Sequence, residues 1–348
     1  MNTPSVLFEE LSGTKGNLGI ITLNRPHALN ALTHEMILLL EQKLSEWEKT
    51  NHIKAVVIRS APGRAFCAGG DLRLAYEKYQ AKDPLYLHFF RDEYRLNQHI
   101  HHYTKPYIAF CDGITMGGGV GISIHGSHRI GTEHLVLAMP ETGIGFFPDV
   151  GGSYFLSRLP QDLGVYLGLT GIKVGSDDCL SMQLIHYTIP QNKLSLVLEQ
   201  LAYTAFGDNP YDSVSQILTV LHQPVNSSSP RMMHRDLIQQ HFTKSTIEAI
   251  MESLKNASHP WCQETAALLE KKSPTSLKVT LRALQEGAKR NFDQCMTMEY
   301  MLAQHFIQAH DFYEGIRALL IDKDQAPEWH PQTLSEVSQE LVFSYFVP

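Results

Sequence analysis

The chain has 348 residues, 43% hydrophobic and 19% charged, with 29 Lys and Arg against 36 Asp and Glu for a net charge of −7. That length accommodates two domains, or one large domain with an appendage; the composition excludes disorder, collagen-like repeats and a disulfide scaffold, and the acidic balance argues against a nucleic-acid footprint. Cysteines stand at 67, 111, 179, 262 and 295 with no CxxC pair, which favours a reducing compartment over a disulfide framework or thiolate zinc site. The opening MNTPSVLFEE lacks a basic, then apolar, leader pattern, and no run reaches roughly 18–20 apolar residues. The expected location is cytoplasmic, with no membrane partner.

In chain order, LGIITL (18–23) reads as a strand, and the turn NRPHALNAL leads to a helix from Thr33. Met36, Leu40, Leu44 and Trp47 recur there at three- and four-residue spacing, one apolar helix face. KAVVIRS (54–60) is a β-branched buried strand, and the loop APGRAFCAGGD follows. Ala75 to Tyr103 reads as helix, ended by Lys105-Pro106. YIAFCDG (107–113) is another strand, with a glycine turn and the helical run MGGGVGISIHG after it. From about 191 strand signals vanish. Helical stretches follow, broken near Asp208–Pro210 and at QPVNSSSP (223–230), the predicted flexible connection. TSLKVTLRALQEGAKR (275–290) has helical spacing after a Ser-Pro start. The residues after Pro327 read as a loosely packed tail.

Three features carry chemistry. AFCAGGD (65–71) and GITMGGGVG (113–121) each end a strand and open a helix. Unpaired N–H groups at such places suit oxyanions or phosphates, although glycine also serves plain tight turns. Neither cluster is GxGxxG or a Walker A sequence. MPETGIGFFPDVGG (139–152) sets Glu141 and Asp149 eight residues apart in an apolar loop, where carboxylates are costly unless exposed, paired or used. Asp149 could instead cap a helix starting at Gly151. Cys67, read at a helix start, fits a small buried thiol better than a nucleophile. HIHH (99–102) invites a metal reading, but no third ligand is signalled, and a solvated helix end explains it. There is no GxSxG nucleophile elbow.

Taken together, ITLNRPHALNAL, AFCAGGDLR, GITMGGGVGISIHG and MPETGIGFFPDVGG resemble the crotonase (enoyl-CoA hydratase/isomerase) superfamily. FFRDEYRLN (89–97), KSPTSLKVTLRAL (272–284), TMEYMLAQ (297–304) and HDFYEGIRALLIDKDQAPEW (310–329) resemble its 3-hydroxyisobutyryl-CoA hydrolase subgroup. The resemblance implies an α/β fold, a crotonase-like spiral of ββα units with a helical C-terminal region. The expected division is a core over 1–190, a helical region over 191–329 that completes the core and CoA cleft, and a tail over 330–348.

The implied chemistry is hydrolysis of an acyl-CoA thioester, the ester of 3-hydroxyisobutyrate from valine breakdown and also of 3-hydroxypropionate. The resemblance places oxyanion-hole N–H donors at Ala68 and Gly118, each worth on the order of 3 kcal/mol in a transition state. It places catalytic acids at Glu141 and Asp149, and substrate contacts at Glu93, Gly118, Glu141 and Asp149. Hydratases of the superfamily carry a first glutamate where this chain has Gly121, so a hydratase or isomerase is the alternative, and a non-catalytic structural relative a further one. Arg25 and His27 stand where relatives meet CoA phosphates, with solvent-facing turn residues as the plain alternative. Phe312 and Lys323 lie in a region that approaches CoA in many relatives. No metal and no retained cofactor are implied, since coenzyme A is part of the substrate. The superfamily's habits admit a homo-oligomer.

Overall fold

The computed structural model describes residues 3–13, 16–81, 86–226 and 233–347. The first half comprises β1 (Val6–Leu11), β2 (Asn17–Leu23), α1 (His34–Lys49), β3 (Ile53–Ser60), β4 (Ala65–Cys67), α2 (Leu72–Gln80), α3 (Tyr86–His101), β5 (Tyr107–Cys111), β6 (Ile114–Met116), α4 (Gly118–Ile124), β7 (His128–Gly131) and β8 (Val136–Ala138). Then come α5 (Gly152–Phe155), α6 (Leu163–Thr170), α7 (Ser176–Ser181), β9 (Tyr187–Thr188), α8 (Leu194–Tyr203) and α9 (Pro210–Leu221). The rest is helical: α10 (Arg235–Phe242), α11 (Ile247–Lys255), α12 (Pro260–Leu269), α13 (Pro274–Gly287), α14 (Phe292–Phe306), α15 (His310–Ile316) and α16 (Gln339–Ser344).

The chain forms two compact units, and each takes three stretches of sequence. The first holds Met1–Asp71, Arg95–Leu137 and Lys173–Arg231; the second holds Leu72–Tyr94, Ala138–Ile172 and Met232–Pro348. The expected boundary at 190 is therefore not where the structure divides. The physical reason is packing: Val197, Leu201, Val214 and Leu218 of α8 and α9 share one core with Leu18, Val57, Phe110 and Ile130 of the sheet. Those two helices belong with the strands they cover.

In the first unit a six-stranded sheet runs β1-β2-β3-β5-β7-β9, and a smaller sheet runs β4-β6-β8. β1 is antiparallel to β2, whereas β2, β3, β5, β7 and β9 pair in parallel. Parallel strands are covered on both faces and so read as continuous apolar runs, as β3 does. The α1 face is as spaced: Met36, Leu40, Leu44 and Trp47 are buried, and the Thr33 side chain caps the helix by accepting from the Met36 N–H. The helix expected over 75–103 is two helices, α2 and α3, and residues 82–85 between them lie outside the described residues. Of the predicted connection 223–230, residues 227–230 also lie outside them.

The second unit is helical. Its tail is not loose: Trp329, Val337, Val342 and Tyr345 are buried. The Trp329 indole N–H donates to the Lys271 carbonyl, and Lys278 Nζ donates to the Val337 carbonyl. Trp329 and Val337 stand singly among polar residues and carry no local signal, whereas Val342 and Tyr345 lie in the apolar run LVFSYFV (341–347), a core signal at the end of the chain. Among the described residues, no helix is long and apolar enough to cross a membrane.

Candidate active site

The glycine clusters lie in the first unit. β4 ends at Cys67, so this thiol closes a strand and is not at a helix start; all five cysteines are buried thiols without disulfides. The loop after β4 runs against the N-terminus of α4. A methyl on Gly69, whose φ is +103°, would lie 3.3 Å from the Met116 carbonyl oxygen and 3.6 Å from the Gly118 nitrogen. A methyl on Gly119 would lie 2.1 Å from the Cys67 carbonyl oxygen, so only glycine permits this approach. Gly118 opens α4, and the N–H of a first helical residue has no intrahelical acceptor.

Ala68 is a different matter. Its N–H donates to the Leu29 carbonyl at 3.0 Å, so it is committed to holding the loop. Two residues on, Gly70 bridges to Leu32: the Leu32 N–H donates to the Gly69 carbonyl and the Asp71 N–H to the Leu32 carbonyl. This pattern leaves the Gly70 N–H without an acceptor among the described residues. The expectation of an oxyanion donor at Ala68 is corrected accordingly, and the available donor in this loop is Gly70.

Arg25 is also spoken for. Its guanidinium donates to the Ala31 carbonyl and forms an ion pair with Asp71 at 3.0 Å, which ties the NRP turn to the end of the glycine loop. His27 is exposed on that turn, and both residues line a cavity of about 700 Å³ with Thr3, Asn24 and Glu35. The His99 ring meets the Glu41 and Glu48 carboxylates at 3.0 and 3.3 Å, ion pairs that explain its presence.

The acids lie in the second unit. Glu93 sits on α3, Glu141 opens a short 3-10 turn (Glu141–Ile144), and Asp149 precedes α5; each is buried. The Tyr94 hydroxyl donates to Asp149 Oδ2 at 2.7 Å, so Asp149 does not cap α5 with its side chain. Glu93 Oε1 and Glu141 Oε2 are buried without a partner among the described residues. A buried polar atom left unpaired is costly, and a bound ligand or water group would relieve it.

Burial, with the Asp149 charge second, pushes Glu93 well above the usual carboxylate range. Burial and then Asp149 raise Glu141 likewise, against the opposing charge of Lys272. Asp149 is pushed up by burial to about 7, although the Tyr94 hydroxyl works the other way. Carboxyls in this relation titrate as a group and hold shared protons near neutrality, which suits general acid–base chemistry.

Four contributors escaped the sequence reading: Gly70, Tyr94, Lys272 and Glu299. Lys272 opens a matched stretch and Glu299 lies in TMEY, a lone acid between Met298 and Tyr300 on an apolar helix face, which is the signal that could have found it. Phe312, in the region that approaches CoA in many relatives, is fully buried against Phe90 and Phe146. Lys323 is exposed at φ +59° after a π-helical turn (Arg317–Ile321).

The sequence profile of the enoyl-CoA hydratase/isomerase family matches residues 18–346. The chain is 42% identical over 348 residues to the mitochondrial 3-hydroxyisobutyryl-CoA hydrolase of Rattus norvegicus, covering 99% of this chain and 89% of that one. It is 42% identical to the Homo sapiens protein of the same name over 342 residues, covering 97% and 88%. A crystal structure of a carnitinyl-CoA dehydratase from Mycobacterium thermoresistibile is similar with a TM-score of 0.88 at 36% identity, covering 99% of this chain and 97% of that one. An enoyl-CoA hydratase from Rhodobacter sphaeroides 2.4.1 follows at 0.86 and 33%, covering 99% and 98%. With its glycine loops, its buried acids and this full-length likeness, the chain belongs to the enoyl-CoA hydratase/isomerase family of the crotonase superfamily.

Proposed function

We propose that this protein hydrolyses the thioester of 3-hydroxyisobutyryl-CoA, and of 3-hydroxypropionyl-CoA, to the free acid and CoA. The observation that carries the reading is Glu141, buried with an unpartnered oxygen and interacting with Asp149, in a chain with Gly121 at the hydratases' first glutamate. A carboxylate without that partner lacks the pair that adds water across a double bond, yet retains what acyl transfer needs. Two relatives named for this hydrolysis, alike over nearly their whole length, support it.

In this mechanism the Gly70 and Gly118 N–H groups hold the thioester oxygen as it gains charge, at no cost of reorganisation. Glu141 attacks the carbonyl carbon, giving an anhydride and CoA thiolate, and water then adds at the Glu141 carboxyl carbon to release the free acid; or Glu141 takes a proton from water that attacks the thioester directly. Asp149, held by Tyr94, binds the substrate hydroxyl or that water and delivers a proton to the departing sulfur. Glu93 reads the 3-hydroxyl group. Single turnover in 18O-labelled water separates the two roles of Glu141: label in the Glu141 carboxylate supports the anhydride, and its absence supports general base catalysis.

A second reading, hydration or dehydration of an enoyl-CoA, draws on the two solved relatives, a dehydratase and a hydratase by name. Thiol release from 3-hydroxyisobutyryl-, 3-hydroxypropionyl-, isobutyryl- and crotonyl-CoA decides between them. Release from the 3-hydroxy esters alone upholds the hydrolase, whereas hydration of crotonyl-CoA without thiol release overturns it. Five buried thiols fit a reducing compartment, and the relatives named as mitochondrial make that organelle the competitor to a cytoplasmic location. The partner is the acyl-CoA itself, and light scattering reads the homo-oligomer that the superfamily's habits imply.

A further inference from the structure

The residue that follows Asp149 has an uncommon backbone. Val150 has φ +49° and Gly151 has φ +88°. A β-branched residue in the left-handed region is an outlier, and such conformations persist only where surrounding structure over-determines them. What surrounds this turn is Glu299, a fully buried acid on α14. Its Oε2 accepts the Gly151 N–H at 2.7 Å, and its Oε1 accepts the Ser153 N–H at 2.8 Å and the Ser153 hydroxyl. Both oxygens therefore act as acceptors, which ties the turn to α14 at two points. The next residue of α14, Tyr300, sets its ring edge-on to the ring of Tyr94, the partner of Asp149, at 6.4 Å between centroids.

We propose that Glu299 is a positioning residue, which clamps the Val150–Ser153 turn and thereby fixes the Asp149 carboxyl against Tyr94 in its working orientation. The proposal rests on the thioesterase reading for its effect on turnover, but the clamp itself is a property of the resting protein. The groups that face Asp149 are Glu93 and Tyr94 from α3, Glu141 from the 3-10 turn, and Glu299 from α14, with Lys272 opposing Glu141. Burial pushes Glu299 up to about 8, while its three donors hold it down. Of these groups Glu299 is the one whose loss frees the turn.

The test compares Glu299→Gln, Asp149→Asn and the double variant, with the wild type, on 3-hydroxyisobutyryl-CoA. An amide presents an N–H toward one of the two backbone donors, so Gln cannot hold both. The expected result is a loss in kcat on the order of 10- to 100-fold, as for a misplaced catalytic group, with KM little changed. In the Asp149→Asn background the same substitution should cost almost nothing further, because the effect passes through Asp149. A loss that repeats undiminished in that background, or a variant with wild-type kcat, overturns the proposal.

A second measurement needs no substrate: the Asp149 carboxyl titration by 13C NMR, assigned by its absence in Asp149→Asn. In Glu299→Gln its midpoint should rise, since a freed turn loosens the Tyr94 hydrogen bond that holds it down, and an unchanged midpoint overturns the clamp. A wild type inactive on every thioester, with a shifted midpoint, sinks the activity reading and leaves the clamp standing.

Discussion

The two units solve opposite problems. The first offers backbone N–H groups from glycine loops: neutral donors, fixed by β4, the Leu32–Gly70 bridge and the Arg25–Asp71 ion pair, and needing no buried charge of their own. The second buries Glu93, Glu141, Asp149 and Glu299 in helical surroundings, where each is pushed toward protonation. Donors of the first kind contribute to a site without opposing the fold. Acids of the second kind oppose it, and their retention is a mark of use.

That contrast can be broken experimentally. The largest expected effect is from Glu141→Gln, which should lower kcat by on the order of 10²–10⁴ while the far-UV circular dichroism spectrum stays as in the wild type. Next is Gly119→Ala, whose methyl meets the Cys67 carbonyl; overpacking against backbone should cost on the order of 3 kcal/mol in urea unfolding. A neutral-loop substitution is thus expected to damage the fold, and an acid substitution to spare it.

Asp149→Asn sharpens the contrast further. A carboxyl whose pKa rises on folding binds more protons folded than unfolded between its two values, so stability falls as pH rises through that window. For Asp149 the window runs from 3.8 to about 7. The amide still accepts from Tyr94, so the variant should melt higher than the wild type at pH 8, with the gain shrinking below about pH 7 and gone near pH 4. A thermal scan across that range checks it, and a uniform offset would point to packing instead of charge. The smallest effect belongs to Arg25→Ala: about 1 kcal/mol of stability from a half-buried ion pair, with KM for the CoA ester unchanged if Arg25 is a tie of the loop.

Much of this was legible in the sequence. β-branched runs and the α1 spacing marked the strands and the first helix, and PETGIGFFPDVGG marked Glu141 and Asp149, because local chemistry is written locally. Ala68 misleads because no pattern within AFCAGGD tells which N–H the Leu29 carbonyl claims. Glu299 was missed because its donors lie 146 and 148 residues away. The boundary at 190 failed for a related reason: a change of periodicity marks a change of element, not of the core that the element joins.

The packed tail has a practical side. Trp329 holds the Lys271 carbonyl, and Asp311 receives both the Ser273 hydroxyl and the His330 N–H. Those ties grip the chain on either side of Lys272, the cation facing Glu141. A chain trimmed or tagged close to its C-terminus therefore risks becoming an enzyme that folds and yet is mistuned, with its fault registered at a carboxylate far upstream.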